Sequence, residues 1–209
     1  GLLILDITSP GSPTYLGSYD TVGSAYGVAI SADDNRAYIA DSGDLVILDV
    51  SDKTSPSLLG SYTTAGSAYG VTLSKDGTKA YVADYSSGLS IINVQNSASP
   101  SLLGSYDTAG TSRAVTLSPD GTKAYVSDDD NGLVIIDVAN SAAPTLLGTF
   151  DDGGHINGAV ISSDGTKAYL SDFSSSGLEI VNVSNSTAPT LLGAYYSNGA
   201  PLGVALSPD

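Results

Sequence analysis

Residues 70–94 read GVTLSKDGTKAYVADYSSGLSIINV, and the order of parts in this stretch decides the fold. Gly70-Val71-Thr72-Leu73 is a short run with β-branched residues, closed by Ser74-Lys75-Asp76-Gly77-Thr78. Asp-Gly suits the centre of a two-residue hairpin turn, where both positions need positive φ. Ala80-Tyr81-Val82-Ala83 is therefore expected to return as the partner strand. A small polar loop from Asp84 to Gly88 leads into the apolar run Leu89-Ser90-Ile91-Ile92-Asn93-Val94, and Pro100 opens a fourth strand around Leu103. Four short strands separated by turn residues make one antiparallel meander.

The same parts recur along the chain. The apolar strand lies at 2–7, 45–50, 89–94, 133–138 and 178–183, and the proline-led strand centres on Leu16, Leu59, Leu103, Leu147 and Leu192. The strand before the hairpin runs 27–30, 70–73, 114–117, 158–161 and 203–206, so the repeat is 43 to 45 residues from Gly27 to Gly70, Ala114, Gly158 and Gly203. That period, with four strands per unit, predicts an all-β chain folded as a β-propeller of four-stranded antiparallel blades. Residues 1–209 are read as a single propeller or propeller segment, with blades near 24–62, 67–106, 111–150 and 155–195. A fifth, incomplete blade joins 1–19 to 200–209, because the Ala-Tyr strand occurs only four times, at Tyr38, Tyr81, Tyr125 and Tyr169. The expectation for that blade is a slice of a longer chain, or a strand supplied by another subunit in a head-to-tail filament.

Strand order follows from chemistry. Pro13, Pro56, Pro100, Pro144 and Pro189 recur at one offset, and proline is tolerated at sheet edges, which puts these strands outermost. The Gly-Val-Thr-Leu type then falls innermost, and Ile47, Ile91, Ile135 and Ile180 are expected between blades. Indels occur only in the loop after the Ala-Tyr strand, which assigns that loop to a free face.

The chain holds 22 acidic and 7 basic residues, a formal charge of −15, which disfavours nucleic acid and anionic membrane as partners. No apolar run approaches the roughly 18 residues needed to span a bilayer. Cysteine is absent, excluding disulfides and thiolate metal sites. A composition rich in Ser, Thr, Gly and Asp points to an extracellular or cell-surface setting.

GLVIIDV at 132–138, followed by PTLLGTF at 144–150, resembles the LVIVD-repeat propellers, and SPDGTKAYV at 118–126 is similar to the YVTN-type surface propellers. The resemblance covers the whole chain, implies the propeller fold and a secreted or cell-surface placement, and says almost nothing about activity.

Candidate sites are few. Asp41, Asp84, Asp128 and Asp172 close each Ala-Tyr strand and read as caps holding the loop that follows. Asp128-Asp129-Asp130-Asn131-Gly132 lacks the alternate-position spacing and distal Glu of a calcium loop. Copies disagree most just before the innermost glycine, at Tyr26, Tyr69, Arg113, Asn157 and Leu202, with His155, the only histidine, beside them. These residues would ring one mouth of the channel and form the candidate ligand site, with Tyr26, Tyr69, Arg113, His155 and Asn157 as its core. The innermost strands hold no Asp or Glu, and no nucleophile–base pair, metal set or cofactor motif stands out. The near-identity of the blades favours a non-catalytic structural, adhesive or assembly module with protein partners or self-association. A propeller taking a small ligand or glycan at the mouth comes second, and a lactonase-like hydrolase third.

Overall fold

The computed structural model describes residues 1–174, 177–197 and 199–207, and every regular element among them is a strand. Five antiparallel sheets follow one another in chain order. The first pairs β1 (Leu2–Asp6) with β2 (Thr14–Tyr19). The second contains β3 (Ala25–Ile30), β4 (Arg36–Asp49) and β5 (Ser57–Ala68). The third is β6 (Gly70–Leu73), β7 (Lys79–Ala83), β8 (Leu89–Asn93) and β9 (Ser101–Tyr106). The fourth is β10 (Ser112–Leu117), β11 (Lys123–Asp128), β12 (Gly132–Asp137) and β13 (Thr145–Phe150). The fifth is β14 (Ile156–Ile161), β15 (Lys167–Asp172), β16 (Gly177–Asn182) and β17 (Thr190–Tyr195). The expected meander appears in full in the last three sheets. In the second, β4 changes partner midway, pairing with β3 up to Asp41 and with β5 from Ser42, which takes φ 54°.

Strands β3, β6, β10 and β14 touch one another in turn and form the inner ring. A small residue is required there. A Cβ on Gly27 would meet the Tyr69 carbonyl at 2.7 Å, and one on Gly70 would meet that of Arg113 at 2.9 Å. The proline-led strands β9, β13 and β17 end their sheets on the far side.

The core lies between sheets. Tyr38, Leu45 and Ile47 of one sheet pack on Ala80, Val82 and Ile92 of the next, and Tyr81, Leu89 and Ile91 repeat this against Ala124, Val126 and Ile136. Tyr125, Leu133 and Ile135 complete the series against Ala168, Leu170 and Val181. Ile47, Ile91 and Ile135 are fully buried as expected. Ile180 is only partly buried, because its side of the fifth sheet meets no further sheet among the described residues.

The hairpin turn differs from expectation. Ser74 and Lys79 close a four-residue loop, with the Gly77 N–H donating to the Ser74 carbonyl at 2.8 Å. Only the glycine takes positive φ, at 68°. The Asp76 carboxylate instead accepts from Ser74 Oγ at 2.6 Å and from the Thr78 N–H at 3.1 Å. Asp120 and Asp164 repeat these bonds. In the first such loop the same roles fall on Asp33 and Asp34, with Asp34 at φ 57°.

Residues 203–206, expected as an innermost strand, have no strand pairing, and residues 208–209 lie outside those described. A Cβ on Gly158 would lie 3.6 Å from the Gly203 Cα, so this segment runs beside β14.

Candidate functional site

A bulge decides what reaches the channel mouth. Ala25 pairs with Asp41 and Gly27 with Ala40, so Tyr26 has no partner on β4. Arg113 is skipped in the same way between Ser112 and Ala114, and Asn157 between Ile156 and Gly158. A bulged residue leaves the ladder and re-aims its side chain. Tyr69 occupies the matching place just before β6, with its N–H on the Ala83 carbonyl at 2.9 Å. The positions where copies disagree are thus the positions the ladder releases.

A second set of divergent residues stands beside the first. Ser42, Tyr85, Asp129 and Phe173 directly follow the aspartates that close the second strands. Reading only the innermost strands missed them. Comparing copies position by position in the loop of variable length would have found them.

Together the two sets build two halves of a mouth. In one half, Tyr26 and Tyr69 stack with ring centroids 4.3 Å apart, and Tyr69 continues onto Tyr85 at 5.1 Å. Burial, and then the neighbouring Tyr26 phenol, push the Tyr69 pKa above its ordinary value. In the other half, Arg113 Nη2 donates to Asp129 Oδ2, and this bond raises the guanidinium pKa further. His155 Nδ1 lies 2.9 Å from Asp129 Oδ1 and 3.0 Å from the Asp129 carbonyl oxygen. Arg113, Asp129, His155, Asn157, Phe173 and Leu202 line a cavity of about 250 Å³. Of the five core residues singled out in sequence, Arg113, His155 and Asn157 share this cavity. Tyr26 and Tyr69 belong to the aromatic ladder.

Both acceptors facing His155 Nδ1 require a proton on that nitrogen. The neutral ring then carries its lone pair on Nε2. The His155 side chain is 48% exposed and Asp129 only 19%, so a shielded carboxylate orients a reachable imidazole. That arrangement suits proton transfer to and from a bound molecule.

Beneath the mouth, Asp41, Asp84, Asp128 and Asp172 are buried. Each ties down the connector that arrives from the preceding sheet, and Asp128 and Asp172 also cap the loop that follows, as read from the sequence. Asp41 accepts from Thr21 Oγ1 at 2.8 Å and the Gly23 N–H at 3.0 Å, and Asp172 from the His155 N–H at 3.0 Å. Asp128 and Asp172 do both, Asp128 accepting from the Thr111 N–H at 3.0 Å and the Asn131 N–H at 3.2 Å, and Asp172 also from the Ser174 N–H at 2.9 Å. Asp172 therefore holds the backbone of the residue whose ring faces Asp129. Asp152, Asp172 and Glu179 place carboxylate oxygens within 4.8 Å of one another, the hard donors a cation would take.

LVIVD repeats match residues 1–21, 22–64, 65–108, 109–152 and 161–197. The chain belongs to the LVIVD repeat family. No curated protein matches it in sequence. Among solved structures, this LVIVD-repeat chain is similar to a periplasmic gluconolactonase from Pseudomonas aeruginosa, with a TM-score of 0.81, 17% identity, and coverage of 95% of this chain and 64% of that one. A candidate 6-phosphogluconolactonase from Bacteroides uniformis also superposes at 0.81, with 15% identity over 99% of this chain and 67% of the other. The β-propeller domain of a Myceliophteria thermophila protein matches at 0.70 and 14% identity, covering 87% and 62%. At these identities the likeness is one of fold, and the chain spans about two thirds of the length of these structures. No helix among the described residues is long and apolar enough to cross a membrane.

These findings correct the expectation of a non-catalytic structural, adhesive or filament-forming module. The chains superposing at 0.81 bear the names of lactone-opening enzymes, and none of the three is named as an adhesive or a filament. The near-identity of the blades is a property of their strands. Around the mouth the copies diverge, at Tyr26, Tyr69, Arg113 and Asn157, at Ser42, Tyr85, Asp129 and Phe173, and at His155.

Proposed function

We propose that this chain carries the site of a lactonase-type hydrolase, with the mouth around Arg113, Asp129, His155 and Asn157 opening the ring of a sugar-derived lactone. The observation that carries this reading is the orientation of His155 by Asp129, which leaves Nε2 for a bound molecule in the cavity that Arg113 also lines. Nε2 takes a proton from water as the water oxygen adds to the lactone carbonyl carbon. Arg113 keeps donors beyond the one given to Asp129, and these meet the negative charge that develops on the carbonyl oxygen. The ring C–O bond then breaks, and the imidazolium returns its proton to the departing alkoxide oxygen. The product is an open hydroxy acid. The names of the similar structures support this choice among hydrolytic reactions. The name of the Pseudomonas enzyme and the composition also support an exported placement, in the periplasm or at the cell surface.

The test is base consumption at constant pH with a δ-aldonolactone, measured against the spontaneous rate. The protein should accelerate acid release, and His155→Ala should return the rate to background while leaving the denaturation midpoint unchanged. A folded parent protein no faster than buffer would sink the proposal.

A further inference from the structure

The seven cationic side chains are distributed unevenly, and that distribution bears on which lactone the mouth accepts. Arg36, Lys79, Lys123 and Lys167 open the second strands at the hairpin end. Lys75 lies inside a hairpin loop, and Lys53 Nζ donates to the Asp34 and Val50 carbonyls at that same end. Strand β11 runs from Lys123 at the hairpin end to Asp128 beneath the mouth. At about 3.3 Å per residue, those cations stand roughly 16 Å from the mouth, about twice the Debye length of about 8 Å at physiological salt. Arg113 is the only Lys or Arg at the mouth among the described residues, and its charge is already engaged by Asp129. Around it lie Asp129, the exposed Asp130, and the buried Asp128 and Asp172.

Given the lactonase reading, on which this inference rests, we infer that the mouth selects uncharged polyol lactones and rejects phosphorylated ones. A phosphate would bring nearly two negative charges into a site whose one cation is already paired and whose other charges are carboxylates. Sites that hold phosphate supply Arg or Lys clusters, or backbone N–H groups at a helix start, and neither is present at the mouth among the described residues. A neutral ring meets no such barrier. It can also pair its hydroxyls with Asn157 and the carboxylates, which are good acceptors for O–H donors. The same field assists turnover, because hydrolysis creates a carboxylate that the acidic mouth repels.

Binding of non-hydrolysable mimics tests this apart from catalysis. The probes are gluconolactam, a neutral ring, and its 6-phosphate, titrated by calorimetry at about 0.01 M and about 1 M salt, where the Debye length falls from about 30 to about 3 Å. The neutral lactam should bind at least about tenfold tighter than the phosphate at low salt, with the gap narrowing at high salt. Asp130→Lys, a change on an exposed loop, should narrow the gap at low salt. Equal or tighter binding of the phosphate would overturn the inference, as would failure of both mimics to bind. Tight, selective binding without any lactone turnover would leave the selection standing and sink only the hydrolase reading.

Discussion

Tyr26 and Tyr69 stand one full repeat apart in sequence and face to face in space, their ring centroids 4.3 Å apart and their planes 2° from parallel. Each sits just before an innermost glycine, where the strand releases a side chain to the channel. A repeat therefore turns one sequence offset into a stack of rings around an axis. Aromatic pairs of this kind contribute about 0.5–1.5 kcal/mol beyond their burial. A double-mutant cycle of Tyr26→Ala and Tyr69→Ala by urea denaturation should return a coupling of about that size. Zero coupling would show that the two rings are neighbours without mutual stabilisation.

Asp76, Asp120 and Asp164 make a pH prediction. The Ser hydroxyl two residues earlier, and then the Thr N–H two residues later, depress each carboxyl to about 2. A carboxyl whose folded pKa lies below its unfolded value near 3.9 stabilises the fold fully above that value. Its contribution is lost as pH falls through the folded pKa. Stability should therefore decline as the pH drops from about 4 to about 2. The triple Asp→Asn variant should lose part of this slope in urea midpoints measured across that window. An unchanged slope would remove these turns from the acid response.

Ile135 and Ile180 occupy equivalent strand positions with unequal burial. Ile135 is fully buried against the next sheet, so Ile135→Ala should cost about 2–5 kcal/mol through lost transfer energy and an unfilled cavity. Ile180→Ala should cost clearly less, because its side chain is partly exposed and water already reaches the site. Equal losses in the isolated chain would mean that Ile180 is covered in solution by something beyond the described residues.

The strands were legible in the sequence because alternating turn and apolar residues are local signals, and the period of 43 to 45 summed them over the copies. The loop geometry at Asp76-Gly77 was not. A two-residue turn and a four-residue loop with glycine third both favour Asp-Gly, and the bond from Ser74 to Asp76 marks the latter. Half of the site was legible for the same reason as the fold. Tyr26, Tyr69, Arg113 and Asn157 break the repeat where the repeat is otherwise strict. Asp129 was hidden inside an acidic run, where a sequence cannot separate a carboxylate aimed at Arg113 from the buried Asp128 before it or the exposed Asp130 after it. Phe173 and Tyr85 lie in the loop of variable length, where alignment of copies is least secure.

The Asp129–His155 pair makes the final prediction. If Asp129 acts by fixing the imidazole with its proton on Nδ1, then Asp129→Asn should reduce lactone turnover by about 10²–10⁴-fold, the range general acid–base catalysis supplies. The amide introduced by that change would also leave Arg113 without its charged partner, so stability and turnover must be read together. His155→Gln should cost as much turnover with no change at Arg113. Residues that act as one unit are strongly non-additive. The double variant should therefore be no slower than the worse single. Losses that multiply in the double variant would mean that Asp129 and His155 act separately, with Asp129 serving Arg113 alone.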